Sequence, residues 1–225
     1  MKSKFISILS NISGEIKLIE DLYNKLVKNY SVENRYYHCL EHINTMLMDL
    51  DSIWKSYSTS EFLSNTSSWK DLDKDNIFRN LYLATWFHDA VYNPSSNSNE
   101  IDSADFAACQ LQSLKFPEKQ IKIICELILS TISHRPIFNN EICKIFLDLD
   151  LAILGKDSNI YNKYSKNIRK EYGFVLEKDY SEKRIEILSN FLKRDKLFYT
   201  TEFQELYEAQ ARKNMNLEIQ ELSLV

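Results

Sequence analysis

Apolar residues recur at helical spacing along nearly the whole chain. Phe5, Ile8, Leu9, Ile12, Ile16, Ile19, Leu22, Tyr23 and Leu26 form one stripe with steps of mostly three and four, the spacing that lines one side of an α-helix. His38, His42, Ile43, Met46, Leu47 and Leu50 predict a second helix. The stretch from about 54 to 74 is rich in Ser, Asn, Thr and Asp and reads as a loop or a broken helix. Asp73 or Asp75 is placed to cap a helix that carries Ile77, Leu81, Ala84 and His88 on one side. The run Pro94-Ser95-Ser96-Asn97-Ser98 gives the clearest loop in the chain. A helix from about Asp102 to Leu114 follows, and Pro117 opens another with Ile121, Ile124, Cys125 and Ile128 facing inward. Pro136 closes that segment soon after His134. The very apolar stretch 142–154 predicts a short buried helix, and 158–172, 181–194 and 202–222 predict three more.

Composition sharpens this into a fold class. The chain has only 3 Gly and 3 Pro in 225 residues, where average usage would give roughly 27 of the two together. A sandwich or barrel of strands needs many tight turns, which those residues supply. Their scarcity, with 44% hydrophobic residues for a core, predicts an all-α bundle. No internal repeat, low-complexity tail or linker interrupts it. The expectation is one domain over 1–225, with a core at about 20–155 and the C-terminal helices 156–225 packed on it.

Charge and cysteine usage exclude some classes of function. A formal net charge of −4 does not suit a protein that grips nucleic-acid polymers through a basic face. Cys39, Cys109, Cys125 and Cys143 are far apart and form no CxxC pair, so they read as reduced thiols in helix cores. The apolar stretch Phe5-Ile6-Ser7-Ile8-Leu9 is broken too soon by Asn11, Gly14 and Glu15 to act as a signal peptide. No run approaches the length of a membrane span. A cytoplasmic protein with no membrane partner is expected.

Candidate chemistry is concentrated in few residues. Only four histidines occur, His38, His42, His88 and His134. His38 and His42 are one helical turn apart, and His88 is followed at once by Asp89. Asp148 and Asp150 lie within Ile145-Phe146-Leu147-Asp148-Leu149-Asp150-Leu151-Ala152-Ile153-Leu154. A carboxylate in so apolar a run must neutralise itself, pair with an arginine, cap a helix or hold a cation. A His-Asp dipeptide alone says little. This one follows the apolar Leu83-Ala84-Thr85-Trp86-Phe87 and precedes a loop, where a buried helix meets a cleft. Two imidazoles and two carboxylates suit a hard or borderline divalent metal.

These residues carry a resemblance. His42, the pair His88-Asp89 and the distal Asp150 resemble the signature of the histidine-aspartate (HD) superfamily. Within it, three segments resemble the motifs of one family of metal-dependent phosphohydrolases: Arg35-Tyr36-Tyr37-His38-Cys39-Leu40-Glu41-His42-Ile43; Phe87-His88-Asp89-Ala90-Val91-Tyr92-Asn93-Pro94 with Asn99-Glu100 and Ser103-Ala104; and Asp148-Leu149-Asp150-Leu151-Ala152-Ile153-Leu154-Gly155. Ile168-Arg169-Lys170-Glu171-Tyr172 and Ala211-Arg212-Lys213-Asn214 resemble its C-terminal features. The likeness runs from about residue 20 to the C-terminus.

The resemblance implies an HD-type helical bundle around one divalent metal ion (Mn, Fe, Co, Ni, Zn or Mg), held by His42, His88, Asp89 and Asp150, with Asp148 as the alternate to Asp150. It implies hydrolysis of a phosphoester bond in a small phosphorylated substrate, nucleotides included, by metal-activated water. Asp89 and Glu100 are then candidates for acid-base work. One cation with two carboxylates leaves the phosphate charge unmet, so Arg35 is the first candidate to grip it, before Arg135 and Arg169. His38 is open between ligand, phosphate contact and orienting role, and His134 between phosphate and a second metal. Tyr37 and Tyr92 read as packing residues or as stacking surfaces for a base. Two other readings stand beside this one: a non-catalytic module of the same fold that senses a nucleotide or metal, and a two-iron oxygenase-like site.

Overall fold

The computed structural model describes residues 1–57, 73–137 and 140–224. Among them every regular element is helical, in agreement with the expected all-α class. The helices are α1 (Lys2–Ser10), α2 (Ile16–Tyr30), α3 (Leu40–Tyr57), α4 (Lys74–Phe87), α5 (Asn99–Ser113), α6 (Glu118–Ser130) and α7 (Glu141–Leu151). A 3₁₀ turn (Ala152–Gly155), α8 (Ser158–Glu171) and α9 (Glu177–Leu192) follow. The chain then runs through a short α10 (Thr201–Phe203) and a π turn (Gln204–Glu208) into α11 (Ala209–Leu222). None of the described helices is long and apolar enough to cross a membrane.

Several boundaries differ from the sequence pattern for local reasons. The first stripe is two helices, broken at residues 11–15 around Gly14, and Ile16 on it is exposed. The helix expected to hold both His38 and His42 begins only at Leu40, so His38 lies in the turn before it. Asp73 caps α4, accepting the backbone N–H of Asn76 at 2.7 Å. Most of the polar stretch at 54–74 lies outside the described residues, and its first residues, through Tyr57, continue α3. All four cysteines are free, but only Cys143 is buried and Cys109 is exposed, so the expectation of four core thiols holds for one of them.

The chain divides into two compact units, Met1–Phe146 and Leu147–Val225, with the seam inside α7. In the first unit α4 is the central element and packs on α3, α5 and α6. Every residue from Asn80 to Phe87 is buried, as a helix surrounded on all sides requires. Trp86 meets Phe5 and Tyr23 edge-on, with ring centroids 5.4 and 5.6 Å away. The Tyr30 hydroxyl donates to the Trp86 carbonyl at 3.0 Å and ties α2 to the last turn of α4.

In the second unit α11 packs on α8, α9 and the 3₁₀ turn. A buried ion pair joins Arg184 Nε to Glu218 Oε1 at 2.8 Å, and the Tyr161 hydroxyl donates to the same carboxylate. Asn214 donates to the carbonyls of Leu154 and Lys156, both at 2.9 Å. Arg212 donates to the carbonyls of Leu192, Arg194 and Asp195 and pairs with Glu208. The segment Ala211–Asn214 therefore closes turns, with its polar groups on backbone acceptors left open at helix ends.

Candidate metal centre

The end of α4 places the first ligand. His88 is 2% exposed, and its backbone N–H still bonds to Ala84 at 2.9 Å. Its Nδ1 lies 3.0 Å from the Thr85 carbonyl. A carbonyl only accepts, so Nδ1 carries the proton and Nε2 presents a lone pair. In the first turn of α3, His42 is 6% exposed, beside the buried Ile43 and Met46. The two Nε2 atoms are 3.3 Å apart. Asp89, one residue on from His88, brings Oδ2 to 3.0 Å from His88 Nε2 and 3.8 Å from His42 Nε2. Asp150, near the C-terminal end of α7, completes the group: one ligand atom each from His42, His88 and Asp150 lie within 4.8 Å of one another.

These atoms fit a divalent ion. Two nitrogens 3.3 Å apart can each reach a common ion at roughly 2.1 Å with about 104° between the bonds, close to tetrahedral. Without a cation, the ring nitrogens face the Asp89 carboxylate through protons they share with it, Oδ2 lying 3.0 Å from His88 Nε2. Burial pushes the Asp89 carboxyl up, but the charge of His88, then that of His38, the His88 hydrogen bond and His42 hold it well below the usual carboxylate range. Asp89 therefore stays ionised.

The turn bearing Asp89 is fixed by groups further along the chain. Ser103 on α5 accepts the Val91 N–H at 3.0 Å and returns its hydroxyl to the Val91 carbonyl at 3.1 Å. Asn99 does the same for Asn93, with Oδ1 on the N–H at 2.8 Å and Nδ2 on the carbonyl at 3.0 Å. Both residues belong to the motif segment read from the sequence, but hydrophobic periodicity gives no hint of this role. Thr85, whose carbonyl orients His88, left no signal at all.

The distal carboxylates separate cleanly. Asp148 is fully buried and accepts the N–H groups of Tyr199 and Thr200 and the Thr200 hydroxyl, each at 2.8 Å. Burial pushes its carboxyl up to about 7 against those three bonds, with Glu208 adding to the rise. Asp150 is the one gathered with the histidines.

The other candidates scatter. His38 stacks on Tyr92 with centroids 4.1 Å apart, and its ring is 6.3 Å from that of His42. Tyr37 lies 4.7 Å from the His42 ring. Glu100 is half-buried in the first turn of α5, where an acid favours the helix dipole, and it is not among the gathered groups. His134 sits in a left-handed turn (φ 47°) after α6, also outside the group, and Arg135 is exposed. Arg169 holds its own corner: it pairs with Glu177 at 2.8 Å and donates to the carbonyls of Tyr172 and Val175. Arg35 donates to three backbone carbonyls.

No protein-family model matches the chain, and neither a curated protein nor a solved structure matches it. The residues themselves carry the reading.

Proposed function

We propose that this chain is a metal-dependent phosphohydrolase of the HD type, acting on a phosphoester bond in a small phosphorylated substrate, nucleotides among the candidates. The observation that carries this is the buried pair of Nε2 atoms 3.3 Å apart with the carboxylate of Asp89 beside both and that of Asp150 gathered with them. His42, His88, Asp89 and Asp150 are the groups to hold the ion. A divalent cation bound there supplies a Lewis acid for a phosphoryl oxygen and a water made acidic near neutral pH.

The chain's own groups divide the remaining work. A carboxyl held as low as that of Asp89 is a poor proton acceptor, so Asp89 serves as ligand and Glu100 is the acid-base candidate that remains. His38, whose charge reaches Asp89, is the side chain to meet a phosphoryl oxygen. Its stacking on Tyr92 fixes the ring in advance, which lowers the ordering cost when an anion arrives.

The experiment is phosphate release from a panel of nucleotides and simple phosphomonoesters with Mn, Fe, Co, Ni, Zn or Mg, run beside His88→Ala. Turnover that needs the metal and His88 is expected. Metal binding without turnover of any member would favour the sensing module instead. Two irons per chain would favour the oxygenase-like site.

A further inference from the structure

We propose that Arg35 is a positioning residue that ties the two ligand-bearing turns of the metal centre together, and not a cation for the substrate phosphate. The inference rests on the metal-site reading above. Its geometry lies wholly within the first unit.

The guanidinium bridges the segment around His38 and one that begins 54 residues on from Arg35 itself. Nη1 donates to the Asp89 carbonyl at 2.7 Å and to the His38 carbonyl at 3.3 Å, and Nη2 donates to the Ala90 carbonyl at 3.3 Å. The Asp89 and Ala90 carbonyls belong to the turn that ends α4 and carries His88 and Asp89. The His38 carbonyl belongs to the turn that leads into α3 and His42. One planar fork thus fixes the backbone on both sides of the site. A guanidinium holds several donors in a rigid plane, which is what three carbonyls in two strands of chain require.

Two aromatic contacts hold the fork in place. The Arg35 guanidinium carbon lies 5.3 Å from the centre of the Tyr30 ring and 5.4 Å from that of Tyr92, within the range of a cation–π contact. Tyr30 is itself bonded to the Trp86 carbonyl, and Tyr92 stacks on His38. The main chain helps as well: Asn34 takes a left-handed conformation (φ 80°) immediately before Arg35, turning the chain between α2 and α3. A phosphate brought to this face of the guanidinium would meet the three carbonyl oxygens that already occupy it.

The test is the affinity of the full chain for Mn(II) by calorimetry, with the visible spectrum of Co(II) as a reporter of ligand geometry. Wild type is compared with Arg35→Lys and Arg35→Ala, and thermal unfolding of each metal-free protein is recorded. Groups that orient ligands from behind change metal affinity by about 10- to 100-fold, so that loss is expected in both variants with an altered Co(II) spectrum. Added guanidinium ion is expected to restore part of the affinity of Arg35→Ala. If Arg35→Ala does not fold, Arg35→Lys decides alone. Unchanged Mn(II) affinity in Arg35→Lys, with only inorganic phosphate binding weakened, overturns the inference. A wild-type chain that binds none of the divalent metals overturns the metal-site reading beneath it, a result separate from the behaviour of the variants.

Discussion

Asp148 holds Thr200 twice through one oxygen, accepting its backbone N–H and its hydroxyl, both at 2.8 Å. The other oxygen takes the N–H of Tyr199. Two residues further along α7, Asp150 points elsewhere, because positions two apart on a helix diverge. Asp148→Ala leaves two buried donors and one part-buried donor without an acceptor. Each such orphan costs about 1–3 kcal/mol, and partial relaxation makes a total near 3 kcal/mol the expected loss in urea unfolding, with metal content unchanged. Asp150→Ala is expected to do the reverse, emptying the metal site while leaving the unfolding midpoint close to that of the metal-free wild type. Loss of metal from Asp148→Ala alone would reverse the assignment.

Metal should stabilise the fold by mass action. A cation at a hundred times its dissociation constant adds about 2.7 kcal/mol. Thermal unfolding is therefore expected to shift upward with Mn or a tighter-binding divalent ion and to fall back on chelation. His88→Ala should abolish the shift. A shift that survives this substitution would place the ion somewhere else.

The same ligands set a pH dependence. Asp89 is held ionised by His88, His38 and His42, so acid does not first remove the carboxylate. The imidazoles must be neutral to ligate, while the ionised Asp89 beside them favours their protonated form. Metal affinity should therefore fall as the pH drops and the imidazoles take up protons, with up to two protons released per ion bound on the acid side. Calorimetry in buffers of different ionisation enthalpy reads that number directly. No proton release at pH 6 would argue that the histidines are not ligands.

The ion pair of Arg184 and Glu218 in the second unit, with side chains 8% and 5% exposed, offers a test of architecture. Removing one member strands a buried charge, at a cost of about 3–5 kcal/mol. Arg184→Met is expected to lose that much stability. Adding Glu218→Leu to it should recover a large part, since apolar groups of similar size fill such sites well. A double variant no better than the single one would mean that the tyrosines around the pair, Tyr161 and Tyr164, depend on it for their own bonds.

Gly155 marks a close approach. A methyl group there would come 2.3 Å from Tyr207 Cβ and 2.7 Å from the Tyr207 carbonyl oxygen. Gly155→Ala must push the 3₁₀ turn away from the π turn, and overpacking of this kind costs about 1–3 kcal/mol. Thermal unfolding checks it.

The helical class and most elements were legible because periodicity reports burial, and burial decides helix faces. The break at Gly14 was not, since the apolar spacing continues unbroken across it. Its spacing from His42 suggests a helical place for His38, but spacing does not show where the first helical hydrogen bond forms. Of the candidate metal centre, the residue types are readable and their convergence is not: no local pattern tells that residues 42, 88 and 150 share one place. Arg35 and Asp148 show the limit most clearly. Each is a charged residue in a motif, which invites a chemical role. Backbone groups take most of the bonds they make, with the Thr200 hydroxyl added at Asp148, and any sequence supplies backbone groups.

The bond between His88 Nδ1 and the Thr85 carbonyl has a kinetic meaning. For a cation bound as proposed, that bond keeps a proton on the far nitrogen and steadies the ring. Capture by this ligand would then need no rotation, and the pace of loading would be left to the cation's own release of water.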